Sequence, residues 1–483
     1  MCDWVVGRRE FLKGLGLGAV CLGLSPVLGA VGGSSGKKGK PNVLFIAVDD
    51  LRPELGCYGQ GHIKSPNIDR LADTGTLFRR AYCNVPVCGP SRVSLMTGLR
   101  VGSGAWKTAG IKREFTSLPA YFKRNGYTAV SNGKIFHHMH DREEDWSREP
   151  WRSVPIYHGG NWAKYNKNGL WQDEESGEHI NPSKGRGPYY ECADVEDDAY
   201  QDGKLAEKAV RDMRELASAD EPFFLACGFW RPHLPLNAPK KYWDMYDAEE
   251  IELADNRFRP KNLPKQVRNS GEIFQYSEVR EGFNSYEFHR RTRHAYYACV
   301  SYVDAQIGKL LDELDRLGIA DNTIVVLWGD HGWHLGEHDF WGKHNTLNNA
   351  LQSPLIVRDP RGEAGATDSL AEFVDVYPTL CELAGVAVPD HLDGKSLAGV
   401  MKDTDVRIHD AVFARWGDAV AMKTDRYLYT EWVKGGETTG RMLFDHKNDP
   451  EENINIAEKP ENAELVKRLS GKVHEHLRIL SDK

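Results

Sequence analysis

The stretch "PNVLFIAVDDLRPELGCYG", residues 41–59, decides the fold. Asn42 to Val48 is a short, continuous apolar run without the polar alternation of a half-exposed strand. Such a run predicts a strand buried on both faces. It stops abruptly at Asp49 and Asp50. The pattern recurs along the chain. "YTAVSNGKIFHH" (127–138) leads a strand into Lys134 and His137, and "PFFLACGFWRPHLP" (222–235) leads one into Arg231 and His233. "NTIVVLWGDHGWHLGEH" (322–338) leads another into Asp330 and His331. Between these runs, apolar residues at helical spacing predict helices over 66–82, 117–125, 202–217 and 295–317. Strand alternating with helix predicts an α/β fold, a mostly parallel central sheet flanked by helices. Such sheets bind ligands beyond the carboxyl ends of their strands, and four separate strands deliver charged residues there.

The 483 residues suffice for one large and one small domain. The principal domain is expected over 41–400. A smaller α+β subdomain is expected over 401–483, where "DAVFARWGDAVAMKTDRYLYTEWV" (410–433) reads as short strands before a final helix. Hydrophobic residues make up 40% and charged residues 27%, ordinary values for a globular protein. The net charge of −8, with no long basic run, excludes binding along duplex nucleic acid. An anionic substrate would have to be met by a local basic pocket.

Residues 1–31 read as an export signal. Arg8 and Arg9 precede Phe11, Leu12 and Lys13, and a Gly-rich apolar run follows to Ala30. The paired arginines resemble a bacterial twin-arginine signal, which implies the twin-arginine export machinery and a periplasmic or extracellular location. The other reading, a membrane anchor, is weakened by the glycines. A Gly/Ser/Lys linker, 32–40, follows. The nine cysteines show no CxxC pair and no zinc spacing, so this is not a disulfide scaffold.

Asp49, Asp50 and Asp330 brought to one place would repel one another unless a cation neutralised them, and an all-oxygen set suits Ca²⁺ or Mg²⁺. Taken singly, each aspartate reads equally well as a helix cap or a turn residue. His331, His334 and His338 invite zinc, but lie in a Gly-broken loop without the helical HExxH pattern. "PVCGPSRVSLMTG" (86–98) places Cys88 just ahead of a helix expected to begin near Ser91. A helix N-terminus and Arg92 both stabilise negative charge, so Cys88 is open to two readings, a thiolate nucleophile or a structural cysteine at a turn.

"CGPSRVSLMTG" resembles the C-x-P-S-R-x-x-x-x-T-G signature of type I sulfatases, of the alkaline phosphatase superfamily. "GKIFHH", "GFWRPHLP", "DHGWHLGEH" and "WGKH" (341–344) follow in the order of the iduronate 2-sulfatase branch. "EFVDVYPTLCELAGVAVPDHLDGKSL" (372–397) and "LFDHKNDPEENINIA" (443–457) resemble general sulfatase signatures. The resemblance implies that a formylglycine-generating maturation enzyme oxidises Cys88 to Cα-formylglycine, so Cys88 is a precursor and not a working thiol. It further implies one Ca²⁺ held by Asp49, Asp50, Asp330, His331 and the modified Cys88. Arg92 would steady the formylglycine. Lys134, His137, His233 and Lys343 would bind sulfate and move protons, with His233 as general acid and His137 as base. Each residue taken alone has a plain structural reading, as a turn lysine or a packed loop histidine.

The implied activity is sulfuric ester hydrolysis on a sulfated polysaccharide or oligosaccharide, a 2-O-sulfated uronate being one such substrate. A phosphodiesterase or phosphonate monoester hydrolase of the same superfamily, and a non-catalytic sugar-binding relative, are the alternatives. Segments 139–195 and 244–294 depart from the iduronate enzymes and are expected at the pocket rim, where loops carry specificity. His158, Trp162, Arg231 and Arg293 are the candidates there for sugar or carboxylate contacts. Arg231 leads them because a guanidinium suits a uronate carboxylate.

Overall fold

Strand β1 (Asn42–Val48) is fully buried, and its side chains divide between two cores as the period of two requires. Leu44, Ile46 and Val48 enter one apolar cluster, while Val43, Phe45 and Ala47 enter the other. The computed structural model describes residues 39–481, except 103, 104, 106, 112, 138–141, 154–185 and 278. The regions assigned to the export signal and to most of the linker lie outside the described residues. All elements below belong to one unit, Lys40–Lys483.

The remaining strands of the central sheet are β2 (Thr76–Phe78), β3 (Thr128–Gly133), β4 (Phe223–Phe229), β5 (Thr323–Gly329), β6 (Leu355–Arg358) and β7 (Gly365–Thr367). They lie in the order β7-β2-β6-β5-β1-β4-β3. β5, β1, β4 and β3 are mutually parallel, β6 runs antiparallel to β5 and β2, and β7 is parallel to β2. The register fixes what the strand ends deliver. Val48 pairs with Gly329 and with Phe229, and Gly133 pairs with Gly228. The four parallel strands therefore stop level, and the residues after them emerge at one edge.

Helices α1 (Pro66–Asp73), α2 (Cys88–Thr97), α3 (Leu118–Arg124), α4 (Gln201–Ala217), α5 (Tyr286–Arg316) and α6 (Val376–Leu383) flank the sheet. Leu205, Ala209 and Met213 of α4 and Tyr296, Val300 and Val303 of α5 join one core. Val93 and Met96 of α2, Leu118 and Phe122 of α3, and Tyr377 and Leu380 of α6 join the other. The expected helix over 66–82 is wrong beyond Asp73. The chain turns at Thr74 and Gly75, and 76–78 pairs as β2 with two strands almost three hundred residues further on. The expected 295–317 helix starts at Tyr286, where the Ser285 hydroxyl accepts the Phe288 N–H as an N-cap. The helix expected near Ser91 begins at Cys88 itself.

Strands β8 (Ala411–Trp416), β9 (Ala419–Thr424), β10 (Tyr427–Lys434) and β11 (Glu437–Asp445) form an antiparallel meander. One face of it packs with Leu469 and Val473 of helix α7 (Ala463–Ser481). Val412, Ala414, Ala421 and Leu428 join the main core, so the subdomain is fused to the large sheet. Among the described residues, no helix is long and apolar enough to cross a membrane.

Candidate functional site

Side chains of consecutive strand residues point to opposite faces, so Asp49 and Asp50 could not both serve one site if the strand simply continued. The chain turns instead. Asp50 has a left-handed backbone, φ 57°, tolerated best by short polar side chains, and its N–H donates to Asp330 Oδ1 at 3.0 Å. Both carboxylates and Asp330 are completely buried. At the end of β3 the fit is closer still. A Cβ on Gly228 would lie 2.0 Å from the Lys134 carbonyl oxygen, so only glycine lets the two strand ends approach and set Lys134 in place.

Cys88 is the first residue of α2 and is buried. Its Sγ lies 3.3 Å from His331 Nε2 and 3.9 Å from Asp50 Oδ1. One turn on, Arg92 points back into the same space. Its Nε donates to Asp330 Oδ2 at 2.8 Å, its Nη1 to the Lys134 and Ile135 carbonyls, and its Nη2 lies 3.5 Å from Asp49 Oδ1. Lys134 Nζ pairs with Asp49 and sits 4.9 Å above the Trp230 ring. Lys343 Nζ donates to Asp50 at 2.8 Å and 2.9 Å and sits 5.1 Å from the Trp333 ring. Three buried carboxylates thus face three buried cations.

The electrostatics follow from burial and these partners. Burial pushes the Asp49 carboxyl up, but Lys134, His233 and Arg92 outweigh it and hold it well below its ordinary value. Asp330 is raised by burial and then by Asp49. Burial, with Asp49 adding to it, pushes the Cys88 thiol well up. A buried thiol held protonated among carboxylates is a poor nucleophile, which goes against the thiolate reading.

Asp49, Cys88, Asp330 and His331 present ligand atoms all within 4.8 Å of one another. Asp49 Oδ1 is buried without a hydrogen-bond donor. His331 Nδ1 faces the Gly332 carbonyl at 3.0 Å, which only accepts, so Nδ1 carries a proton, and Nε2 points into the cluster, 3.3 Å from Asp50 Oδ1 and 3.5 Å from Asp330 Oδ1. Carboxylate oxygens, one orphaned, with an imidazole nitrogen beside them fit a hard divalent cation. A second acidic cluster, Glu372, Asp375 and His409, differs. Arg100, Asn84 and the N–H groups of Phe413, Glu372 and Lys395 already satisfy its carboxylates, so it reads as a structural hub.

His233 is buried at the edge of the cluster. Its Nδ1 faces the Leu234 carbonyl at 2.7 Å and its Nε2 faces Glu272 Oε1 at 3.2 Å. The second oxygen of Glu272 lies 2.8 Å from Lys343 Nζ. Sequence reasoning missed Glu272, which sits in "SGEIFQ" without a motif, although segment 244–294 had been assigned to the pocket rim. His137 is half-buried on the loop that follows Lys134. Arg231 is buried, its Nη1 donating to the His233 carbonyl at 2.5 Å and its N–H to Asp202 at 2.9 Å. Arg293 is not brought to Cys88. It donates to the Leu335 carbonyl and Tyr297 hydroxyl and lines a separate cleft of about 1160 Å³ with Arg52, Glu54 and Glu337. His158 and Trp162 lie outside the described residues.

The sulfatase family profile matches residues 41–386, the whole of the large sheet and this cluster. The chain belongs to the sulfatase family. It is a type I sulfatase of the alkaline phosphatase superfamily, a sulfuric ester hydrolase. The profile described as N-sulphoglucosamine sulphohydrolase, C-terminal, matches residues 336–478 of the sulfatase and takes in the meander. Iduronate 2-sulfatase of Mus musculus is 34% identical over 431 residues, 79% of this chain and 74% of that one. Two solved structures share the sulfatase's fold. One, in complex with its substrate D-glucosamine-2-N,6-O-disulfate, has a TM-score of 0.70 at 21% identity over 92% of this chain and 99% of that one. The other, phosphonate monoester hydrolase of Agrobacterium radiobacter, has a TM-score of 0.72 at 23% identity over 90% and 95%.

Proposed function

We propose that this sulfatase removes sulfate from a sulfated polysaccharide or its oligosaccharides, a 2-O-sulfated uronate being one such unit. On this reading Cys88 is the precursor of Cα-formylglycine, and Ca²⁺ is held by Asp49, Asp50, Asp330 and His331. The observation that carries it is the convergence of three carboxylates and three cations about one sulfur atom, that of the buried Cys88. Asp49, Asp50, Asp330 and Lys134 come from the level ends of the parallel strands, Arg92 from α2 and Lys343 from a separate loop. The likeness to iduronate 2-sulfatase and to a structure solved with a disulfated glucosamine supports the choice of a sugar. Export by the twin-arginine route and conversion by a maturation enzyme complete the proposal.

When present, formylglycine supplies an oxygen nucleophile at position 88 and the dication neutralises charge on the sulfate. The chain's own residues do the rest. Lys134 and Lys343 neutralise sulfate oxygens from fixed positions, each backed by a carboxylate and an indole ring. Arg92, gripped by Asp330 and two carbonyls, holds the floor of the site and keeps Asp49 and Asp330 from spreading apart. The site is buried, with Lys134, Lys343 and all three aspartates at most 1% exposed, so each charge acts at a lower dielectric than in water. His233 is the proton donor to the leaving oxygen. Both partners of its ring are acceptors, so the ring is set to carry a proton on each nitrogen. A sugar alkoxide leaves poorly without that proton, and such a donor is worth about 10² to 10⁴ in rate. His137 is assigned as the base. Arg231, His158 and Trp162 remain assigned to sugar contacts.

Peptide mass spectrometry across Cys88, on protein from a host that matures sulfatases, tests the nucleophile. The aldehyde or its hydrate is expected. Thiol alone, beside a converted control, overturns the proposal and favours the sugar-binding alternative. Because the fold is shared with a phosphonate monoester hydrolase, release of sulfate and phosphate from matched esters is then compared, and faster phosphate release overturns the sulfated substrate.

A further inference from the structure

The mechanism above uses Glu272 only as an acceptor facing His233 Nε2, and leaves its contact with Lys343 unused. Its carboxylate bridges His233 Nε2, at 3.2 Å from Oε1, and Lys343 Nζ, at 2.8 Å from Oε2, and its side chain is only 13% exposed. The segment carrying it is stitched to the loop that carries Lys343. Asn269 Oδ1 accepts the Trp341 N–H at 2.9 Å, and Asn269 Nδ2 donates to the Asp339 carbonyl at 3.2 Å. Ser270 Oγ meets His344 Nδ1 at 2.8 Å and accepts the Glu272 N–H at 3.3 Å. A Cβ on Gly342 would lie 2.9 Å from Ser270 Cβ, so the two strips run in close contact. Glu272 is therefore a fixed group and not a mobile surface acid.

Its two partners need fixing. The His233 ring is held at Nδ1 by the Leu234 carbonyl and can still swing about that anchor unless its far end is also held. Lys343 carries its charge on a flexible four-carbon stem. Burial pushes the Glu272 carboxyl up, but Lys343 and His233 outweigh it and keep it well below its ordinary value, so it stays an acceptor. The 3.2 Å contact to His233 is long for a charge-assisted bond, which leaves the proton free to be shared with a further acceptor.

We propose that Glu272 is a positioning residue that aims His233 Nε2 and Lys343 Nζ at the leaving-group side of the Cys88 site. The inference rests on the reading of His233 as proton donor. The test uses matured, full-length enzyme and two esters, 4-nitrophenyl sulfate, whose leaving group needs little protonation, and phenyl sulfate, whose leaving group needs more. E272Q is expected to lose at least about tenfold more kcat/KM on phenyl sulfate than on 4-nitrophenyl sulfate, a fraction of what a general acid supplies. In H233A, adding E272Q is expected to cost nothing further on that comparison. E272D, which keeps the charge, is expected to recover part of the phenyl sulfate rate. Equal losses on the two esters, or E272D as poor as E272Q with a lowered melting temperature, mean a merely structural acid and overturn the proposal. Faster turnover of both esters by E272Q overturns it differently, by showing a carboxylate that obstructs the sulfate. Steep leaving-group dependence in H233A with none in E272Q sinks Glu272 alone. Absence of that dependence in both sinks the His233 reading with it.

Discussion

Asp330→Asn separates a cation site from a self-neutralised charge cluster. Asp330 Oδ1 accepts the Asp50 N–H at 3.0 Å and Oδ2 accepts Arg92 Nε–H at 2.8 Å. The amide keeps the shape and one acceptor, and turns an NH₂ toward the other donor. Losing one hydrogen bond to a charged group costs about 1.5 to 3 kcal/mol. Part of that is offset, because burial and Asp49 already disfavour the ionised Asp330 carboxyl. In chelator the variant should therefore melt within about 2 °C of the parent. With calcium at about 100 times its dissociation constant, the parent gains about 2.7 kcal/mol. The unit Lys40–Lys483 has an unfolding entropy of roughly 0.9 kcal/mol/K at about 2.1 cal/mol/K per residue, so that gain is worth about 3 °C. The variant should not share it. Differential scanning calorimetry of both proteins, in EDTA and in calcium chloride, reads the difference of differences. The same gap between parent and variant in both buffers would refute the argument that these carboxylates are held together for a cation.

Further outcomes are equally open to measurement. Cys88→Ser is expected to keep the melting temperature and to lose at least ~10³ in turnover, since a serine has neither the aldehyde nor its exit route; sulfate release over many turnovers checks it. Gly228→Ala, whose Cβ would meet the Lys134 carbonyl oxygen at 2.0 Å, should lower stability by about 3 kcal/mol or more and displace Lys134, read by urea unfolding and by kcat together. Burial pushes Glu54 and Glu337 up, but Arg52 and Arg293, joined by His62 at Glu54 and by His334 at Glu337, together bring each from 4.5 to about 2. Their folded values are depressed, so the stability they contribute is complete above about pH 4.5 and is lost as pH falls toward 2. Glu337→Gln should be less stable at neutral pH by about 3 to 5 kcal/mol and show a shallower loss in acid, followed by fluorescence unfolding from pH 7 to 2.

The reach of sequence reasoning is clearest at the strand ends. The run 42–48 becomes a strand with those bounds, and the stretches 222–235 and 322–338 each open with one, Phe223–Phe229 and Thr323–Gly329, because a strand buried on both faces leaves a local signature, an apolar run cut off by charge. The 66–82 stretch shows the limit. Locally its apolar spacing looks helical throughout, but Thr76–Phe78 is claimed by strands β6 and β7, and no local pattern carries that partner. The start of α5 at Tyr286 was hidden for a related reason. "YEFHRRTRH" is too charged to read as amphipathic, yet Phe288, His289, Thr292 and Arg293 are buried in the fold.

At the site, residue identities were legible and side-chain directions were not. Cys88, Arg92, the three aspartates, His331 and the two lysines follow strand ends or fill a dense motif; the parallel register brings the aspartates, His331 and Lys134 together, and Cys88 and Arg92 join them on α2. Arg293 was chosen for its chemistry, and packing directs it elsewhere, to a separate cleft, whereas Arg231 stays beside His233 with its Nη1 on the His233 carbonyl. Glu272 stands in no motif, and its place comes only from the loop that clasps it to Lys343. The sequence by itself determined the strand-and-helix alternation, the family and the residues that carry the chemistry, because each is written in local order. Which carboxylate meets which cation, and which arginine faces the reacting atoms, was decided by the tertiary structure. Those contacts join segments far apart in the chain, and burial removes the water that would otherwise let each charge stand alone.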